Sequence, residues 1–240
     1  MSPNTNIKTF MIDGKPVSAA EGETILEVAR QNGVNIPTLC NKTGLTPTGQ
    51  CRLCMIEVTG SNRLFPSCVT KPEEGMEVTT ESDRLLKYRQ MILELLFSER
   101  NHICSVCVTN GHCELQTMAQ RLKVDHIRYQ YLHPKLEVDG SHHRFEVDHN
   151  RCILCGRCVR VCDEVEGAHT RDLRNRGIQT LVITEFDGPW GDSTSCTSCG
   201  KCVHVCPTGA LAEKGKSVAE MTKRKHFLPY LVMRRKGASK

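Results

Sequence analysis

No G-x-G-x-x-G run follows a predicted strand in this chain and no Walker loop is present, so a nucleotide or nicotinamide site has no phosphate cradle. Long apolar runs are missing too. The most apolar helical stretch, Met91 to Phe97, is short and contains Glu94, which excludes a membrane-spanning helix there. Met1 to Gly14 has no basic segment leading into an apolar run, so no secretory signal is read. The expectation is a cytoplasmic, reducing location, where thiolates bind metal more often than they form disulfides. Aromatic residues are scarce at 5%, so packing has to rely on aliphatic side chains and on bound groups. The remaining composition, 39% hydrophobic and 25% charged, is that of a soluble protein, and 240 residues suffice for two or three domains.

Cysteine, by contrast, is plentiful: 15 residues, an odd number, at a density below that of disulfide scaffolds. The clearest pattern is an internal repeat. Cys152, Cys155, Cys158 and Cys162 return as Cys196, Cys199, Cys202 and Cys206, each set spaced C-x2-C-x2-C-x3-C. That run holds cubane clusters in two-cluster bacterial ferredoxins, where the last cysteine of each run serves the other cluster. One 4Fe–4S cluster is therefore expected on Cys152, Cys155, Cys158 and Cys206, and another on Cys162, Cys196, Cys199 and Cys202. Pro207 closes the second run, whereas Asp163 follows the first. Zinc is the alternative, but three thiolates within seven residues suit a cubane face better than a tetrahedral knuckle. Between the runs, Thr180 to Thr184 reads as a strand, Asp187 to Gly191 as a turn, and Trp190 as a packing residue.

The segment 1–80 begins with a hairpin signal: Ile7 to Ile12, Asp13-Gly14, then Lys15 to Ser18. A short helix over Thr24 to Gln31 ends at Gly33, and Leu53 to Val58, Leu64 to Ser67 and Met76 to Thr79 are strand candidates. This order predicts a β-grasp domain. It carries Cys40, Cys51, Cys54 and Cys68, spaced C-x10-C-x2-C-x13-C, close to the plant-type pattern for a 2Fe–2S cluster apart from the longer first gap. Loop glycines Gly44 and Gly49 would let backbone N–H groups near the sulfurs. A four-cysteine zinc ribbon is the alternative, although ribbons show two close knuckles and this segment has one.

The segment 81–145 opens on Ser82 as N-cap of a helix over Asp83 to Glu99, with Leu85, Tyr88, Ile92, Leu95 and Leu96 as one apolar stripe. Next come Cys104, Cys107 and Cys113, spaced C-x2-C-x5-C, one donor short of a cubane's four. His102 is the nearest upstream candidate; an open iron, or one closed by water, is the alternative. His112 is set aside because its neighbour Cys113 already points to the metal. The histidines at 126, 133, 142, 143 and 149 sit at no ligand spacing. The whole reads as an α+β multidomain chain: a β-grasp ferredoxin-like domain, a helical 4Fe–4S domain, a ferredoxin-like domain with two 4Fe–4S clusters over 146–215, and a basic tail over 216–240.

A formal charge of +5 hints at nucleic acid, but cluster charges belong in the balance and bring it to about −2. No nucleic-acid partner is expected. Lys223, Arg224, Lys225, Arg234, Arg235 and Lys236 are read as a solvated end, with a docking tail as the alternative.

Five stretches carry a resemblance: Ile36 to Cys40, Cys51 to Cys54, Glu99 to His102, Asn110 to Gln116, and Asp148 to His169. Together they resemble the N-terminal part of the large peripheral iron–sulfur subunit of complex I. They resemble even more the small diaphorase subunit (subunit U) of bidirectional NAD(P)-linked nickel–iron hydrogenases of the cyanobacterial type. The resemblance implies His102 as a cluster ligand beside Cys104, Cys107 and Cys113. Complex I has H-x3-C before this cluster, whereas one residue separates His102 from Cys104, which favours the hydrogenase branch. It further implies an oxidoreductase relay subunit with one 2Fe–2S and three 4Fe–4S clusters, and no catalytic residue, flavin or NAD(P) of its own. Implied partners are a flavin- and NAD(P)-binding diaphorase large subunit, the hydrogenase small subunit and the nickel–iron large subunit. A further small ferredoxin-like subunit and ferredoxin or flavodoxin complete the set. An equivalent relay in a complex-I-like NADH dehydrogenase or formate dehydrogenase, and an independent electron carrier, are the rival readings.

Overall fold

The computed structural model describes residues 7–225 together with 227 and 228. Lys223 and Lys225 are not a solvated end, since Lys223 Nζ donates to the carbonyls of Val203 and Leu211 at 3.1 and 2.7 Å and Lys225 pairs with Glu114. Arg234, Arg235 and Lys236 lie outside the described residues. The chain divides into two compact units: one comprises residues up to Asn41 and Pro47–Ile92, the other Lys42–Thr46 and the chain from Leu93 onward.

In the first unit, β1 (Lys8–Ile12) and β2 (Lys15–Ala19) form an antiparallel hairpin. Asp13 and Gly14 turn it with φ of 49° and 75°, the paired positive angles that a two-residue hairpin turn requires. Helix α1 (Ile25–Gln31) starts in a capping box in which Thr24 and Glu27 satisfy each other's backbone N–H. Strands β3 (Met55–Val58), β4 (Leu64–Pro66) and β5 (Glu77–Thr79) complete a five-stranded sheet in the order β2-β1-β5-β3-β4, with β1 and β5 parallel. This is the β-grasp arrangement. Its core packs Phe10, Ile12, Ile25, Leu26, Val28, Ile56 and Val78 together with Cys54 and Cys68. Leu53 and Cys54, expected within a strand, form a turn instead, because Arg52 adopts φ of 58° and bends the chain.

Helix α2 (Asp83–Glu99) starts as expected, the Leu85 N–H donating to Ser82 Oγ at 3.1 Å. Its buried face differs from the expected stripe. Leu85 and Leu93 are fully buried, whereas Leu95 is 42% exposed. Arg89 shares the buried face because its guanidinium donates to the carbonyls of Leu53, Met55 and Thr80 at 2.9–3.1 Å. A satisfied cation therefore takes a place that hydrophobic periodicity assigned to apolar residues.

The second unit contains α3 (Glu114–Arg121), then the antiparallel sheet of β6 (Val138–Asp139), β7 (Phe145–Asp148) and β10 (Leu211–Glu213) in the order β10-β7-β6. Helices α4 (Arg157–Val161) and α5 (Lys201–Val205) and the hairpin of β8 (Arg171–Arg174) and β9 (Leu181–Thr184) complete it. The sequence repeat is also a backbone repeat. Leu154 and Ser198 have φ of 52° and 54°, and Gly156 and Gly200, at 66° and 72°, start the two five-residue helices. The halves part at the fourth cysteine. Cys162 continues into a π-helical turn to Glu166, ended by Gly167, whereas α5 stops at Cys206 in extended conformation. Proline explains this, since Pro207 drives the residue before it out of the helical region and Asp163 does not. Among the described residues, no helix is long and apolar enough to cross a membrane.

Candidate iron–sulfur sites

No disulfide joins any of the 15 cysteines. In the first unit Cys40, Cys54 and Cys68 are buried and Cys51 is half-buried. The thiols meet in two facing pairs, Cys40 with Cys51 and Cys54 with Cys68. Contact with Cys68 holds Cys54 down at about 7, while the facing thiol and then burial push Cys51 and Cys68 up. Two thiol pairs are what a two-iron cluster takes, one pair for each iron. The Leu39 N–H also donates to Cys51 Sγ at 3.4 Å, the kind of bond that steadies a cluster thiolate. Gly49, at φ 66°, and Arg52 supply the left-handed bends of the loop.

Three cavities of similar size lie in the second unit. One, of about 300 Å³, is lined by His102, Cys104, Cys107 and Cys113. A 3-10 turn over Cys104–Val106 closes with the Cys107 N–H on the Cys104 carbonyl at 3.1 Å. Cys113 precedes α3; burial pushes its thiol up to about 11 against the N–H groups of Gln116 and Leu115, which bond the sulfur. His102 is half-buried, and the desolvation of its ring lowers it to about 4 although the Leu96 carbonyl accepts a bond from the ring. With one ring nitrogen so engaged, the buried Nε2 has no hydrogen-bond partner. A neutral imidazole with its second nitrogen held by a carbonyl is the arrangement of metal-binding histidine. His112 is exposed and does not line the cavity.

Cys152, Cys155, Cys158 and Cys206 line a second cavity of about 380 Å³, with Val147, Ile153, Val182 and Leu211 around them. Burial pushes Cys152 up to about 12, Cys155 to about 11 and Cys158 well above the ordinary thiol range. Thiols so placed ionise when a metal supplies the positive charge. Cys162, Cys196, Cys199 and Cys202 line the third, of about 360 Å³, together with Phe145, Glu166, Arg171, Trp190 and Lys201. Each cavity thus gathers one set of four residues, and the fourth cysteine of each run sits with the other run. Among the described residues no three His, Cys, Asp or Glu side chains converge on a single-ion position. The thiols ring a space, which fits a multi-atom cluster.

Sequence reading missed three features of these sites. Trp190 is fully buried, and its Nε1–H donates to Cys196 Sγ at 3.2 Å, so it does more than pack. Gly209 lies against the histidine-bearing cavity so closely that a Cβ there would come within 2.5 Å of Cys107 Sγ. Arg171 opens β8 and faces the third cavity. None lies at a motif spacing; only Pro207-Thr-Gly209, continuing the second run, carries a local signal.

Fold and cavities define a multi-cluster iron–sulfur protein. Family comparison agrees: a 2Fe-2S iron-sulfur cluster binding domain matches residues 7–83. An NADH-ubiquinone oxidoreductase-G iron-sulfur binding region matches 89–128, and the ferredoxin-like domain of NADH-quinone oxidoreductase subunit 3 matches 143–212. NADP-reducing hydrogenase subunit HndD of Solidesulfovibrio fructosivorans is 40% identical over 85% of this chain, which spans 36% of that longer protein. The gamma subunit of the NAD-reducing hydrogenase HoxS of Cupriavidus necator is 31% identical over 85% of this chain and 86% of its own length. A crystal structure of an H2-reduced, NAD+-reducing NiFe hydrogenase contains a chain with TM-score 0.82 and 34% identity, covering 88% of both chains. The protein belongs to the family of iron–sulfur subunits that includes the HoxS gamma subunit.

Proposed function

We propose that this chain is the electron-relay subunit of an NAD(P)-linked bidirectional nickel–iron hydrogenase in the cytoplasm. It carries electrons between a flavin-bearing diaphorase subunit and the hydrogenase small subunit. The observation that carries this reading is the separation of the ligand residues into four sets of four, on a chain matched over nearly its whole length by a hydrogenase subunit. Bound clusters supply one-electron carriers. Cys40, Cys51, Cys54 and Cys68 would hold the 2Fe–2S cluster; His102, Cys104, Cys107 and Cys113 one 4Fe–4S cluster; Cys152, Cys155, Cys158 and Cys206 a second; and Cys162, Cys196, Cys199 and Cys202 a third.

The protein's own contribution is placement and environment. Buried thiols and the oriented imidazole hold the ligand geometry, while N–H donors such as those of Leu39 and Trp190 offset sulfur charge. Chemistry at both ends belongs to partner subunits, with no catalytic side chain required here. The match of residues 89–128 to an NADH-ubiquinone oxidoreductase region favours one second reading, the same relay in a complex-I-like dehydrogenase. Chains that co-purify separate the two through the presence or absence of a nickel–iron subunit.

Substitution Cys107→Ser is the direct test. Hydrogen-dependent NAD(P) reduction by the purified complex is expected to fall to background, while flavin-linked dye reduction persists. Wild-type hydrogen-dependent turnover in that variant would overturn the through-relay reading. Metal analysis of the unaltered protein is expected to give about 14 irons per chain and little zinc.

A further inference from the structure

Buried guanidinium groups in the second unit differ in how fully the protein satisfies them, and Arg171 has two nitrogens unmet. Arg157 forms a two-pronged pair with Glu114, at 2.8 and 3.0 Å. Arg160 donates to the carbonyls of Thr46, Cys155 and Gly156. Arg171 is 3% exposed, yet among the described residues no carboxylate lies within ion-pairing distance of it. Its Nη1 donates to Thr184 Oγ1 at 2.8 Å, and its guanidinium carbon stands 3.7 Å from the centre of the Trp190 ring. Nε and Nη2 are buried without a hydrogen-bond partner. A desolvated cation with two unmet donors is costly to bury unless an anion faces it.

The surroundings point to that anion. Arg171 lines the cavity ringed by Cys162, Cys196, Cys199 and Cys202. Its charge acts on the thiol of Cys202 there and on Cys158 of the neighbouring set, in each case against burial. The ring beneath it belongs to Trp190, which itself donates to Cys196. Arg171 also borders a wider cleft of about 1140 Å³. That cleft sets Glu137, Asp139 and Asp187 against Lys135 and Arg174, and Asp139 feels the Arg171 charge. None of these carboxylates comes within ion-pairing distance of the guanidinium, whose Nε and Nη2 stay unmet.

We propose that Arg171 sets the potential of one cluster: its guanidinium is the buried counter-charge of the cubane held by Cys162, Cys196, Cys199 and Cys202, and it raises that cubane's reduction potential. The sign follows from electrostatics. Reduction adds one negative charge within reach of a fixed, poorly screened cation, which stabilises the reduced form more than the oxidised one. Arginine suits the role because it keeps its charge when buried.

This inference rests on the relay reading, and its test separates the two. The complex carrying Arg171→Gln is titrated electrochemically and followed by low-temperature paramagnetic resonance. At the potential where the wild-type cubane is half reduced, the reduced-to-oxidised ratio is expected to fall at least tenfold, about 59 mV for one electron. Arg171→Lys is expected to recover most of that shift, and the 2Fe–2S midpoint in the first unit to stay unchanged. An iron-replete Gln variant with an unmoved cubane midpoint overturns the proposal and leaves the relay reading standing. Wild-type protein without cluster iron overturns the relay reading itself. If Arg171→Gln loses about four irons, retention of iron by Arg171→Lys supports the charge role, and equal loss in both variants overturns it.

Discussion

The runs Cys152–Cys162 and Cys196–Cys206 share cysteine spacing, positive-φ positions and helix length, yet they enclose chemically different spaces. The cavity lined by Cys152, Cys155, Cys158 and Cys206 has valine, leucine and isoleucine around its thiols. The other includes an exposed thiol, Cys199, and gathers a tryptophan N–H, a buried guanidinium and the Lys201–Glu166 ion pair. Position-equivalent cations illustrate the contrast. Arg157 and Lys201 each stand between the second and third cysteines of their run and each pairs with a glutamate. The Arg157 side chain is 2% exposed and that of Lys201 29%. A local motif therefore sets ligand geometry, while the environment that tunes a cluster comes from whatever packs around the motif.

The comparison can be broken most severely at the fourth cysteines. Asp163→Pro imposes the ending of the second run on the first, where Cys162 is helical at φ −69° and ψ −40°. It is expected to cost roughly 3 kcal/mol, read from denaturant unfolding of the iron-loaded protein. Pro207→Ala, in the opposite direction, is expected to cost under about 1 kcal/mol. Equal stabilities would mean that the two halves are interchangeable after all.

The ion pairs give a smaller contrast. Burial pushes the Glu114 carboxyl up, but Arg157 and Lys225 outweigh it and hold the group at about 2, below its ordinary 4.5. Glu114→Gln is expected to lose on the order of 2 kcal/mol at neutral pH, and Glu166→Gln less than about 1 kcal/mol. Because the Glu114 value is depressed, its contribution is present above about pH 4.5 and fades as pH falls toward 2. Unfolding of wild type and Glu114→Gln should accordingly converge in acid.

The smallest effect concerns one hydrogen bond. Trp190→Phe keeps a ring but removes the donor to Cys196. It is expected to lower the midpoint of that cubane by about 1 kcal/mol, on the order of 40 mV, and to leave the apolar cubane unmoved. A redox titration in which both cubanes shift together would remove Trp190 from the list of differences between the halves.

Much of the architecture was legible before folding. Asp13-Gly14 announced the hairpin, Thr24 and Ser82 the two helix starts, and the cysteine spacing the sets that the cavities gather. What stayed hidden were positions whose meaning lies in long-range packing. Arg89 broke the apolar periodicity of α2 by satisfying three carbonyls, two of them more than 30 residues earlier. Glu114 meets Arg157 across 43 residues.

Spacing by itself determined that the first three thiols of each run stand side by side, because a few backbone angles within the knuckle decide that. The fourth thiol of each set arrives from the other run through tertiary packing. The distribution of charge and hydrogen bonds around each knuckle was decided only in three dimensions. Burial and electrostatics sum over every neighbouring element, and no single stretch of chain carries that sum: Trp190, Arg171 and Gly209 acquire their roles only once β8, the 190 turn and the loop before β10 come to rest against the cysteines.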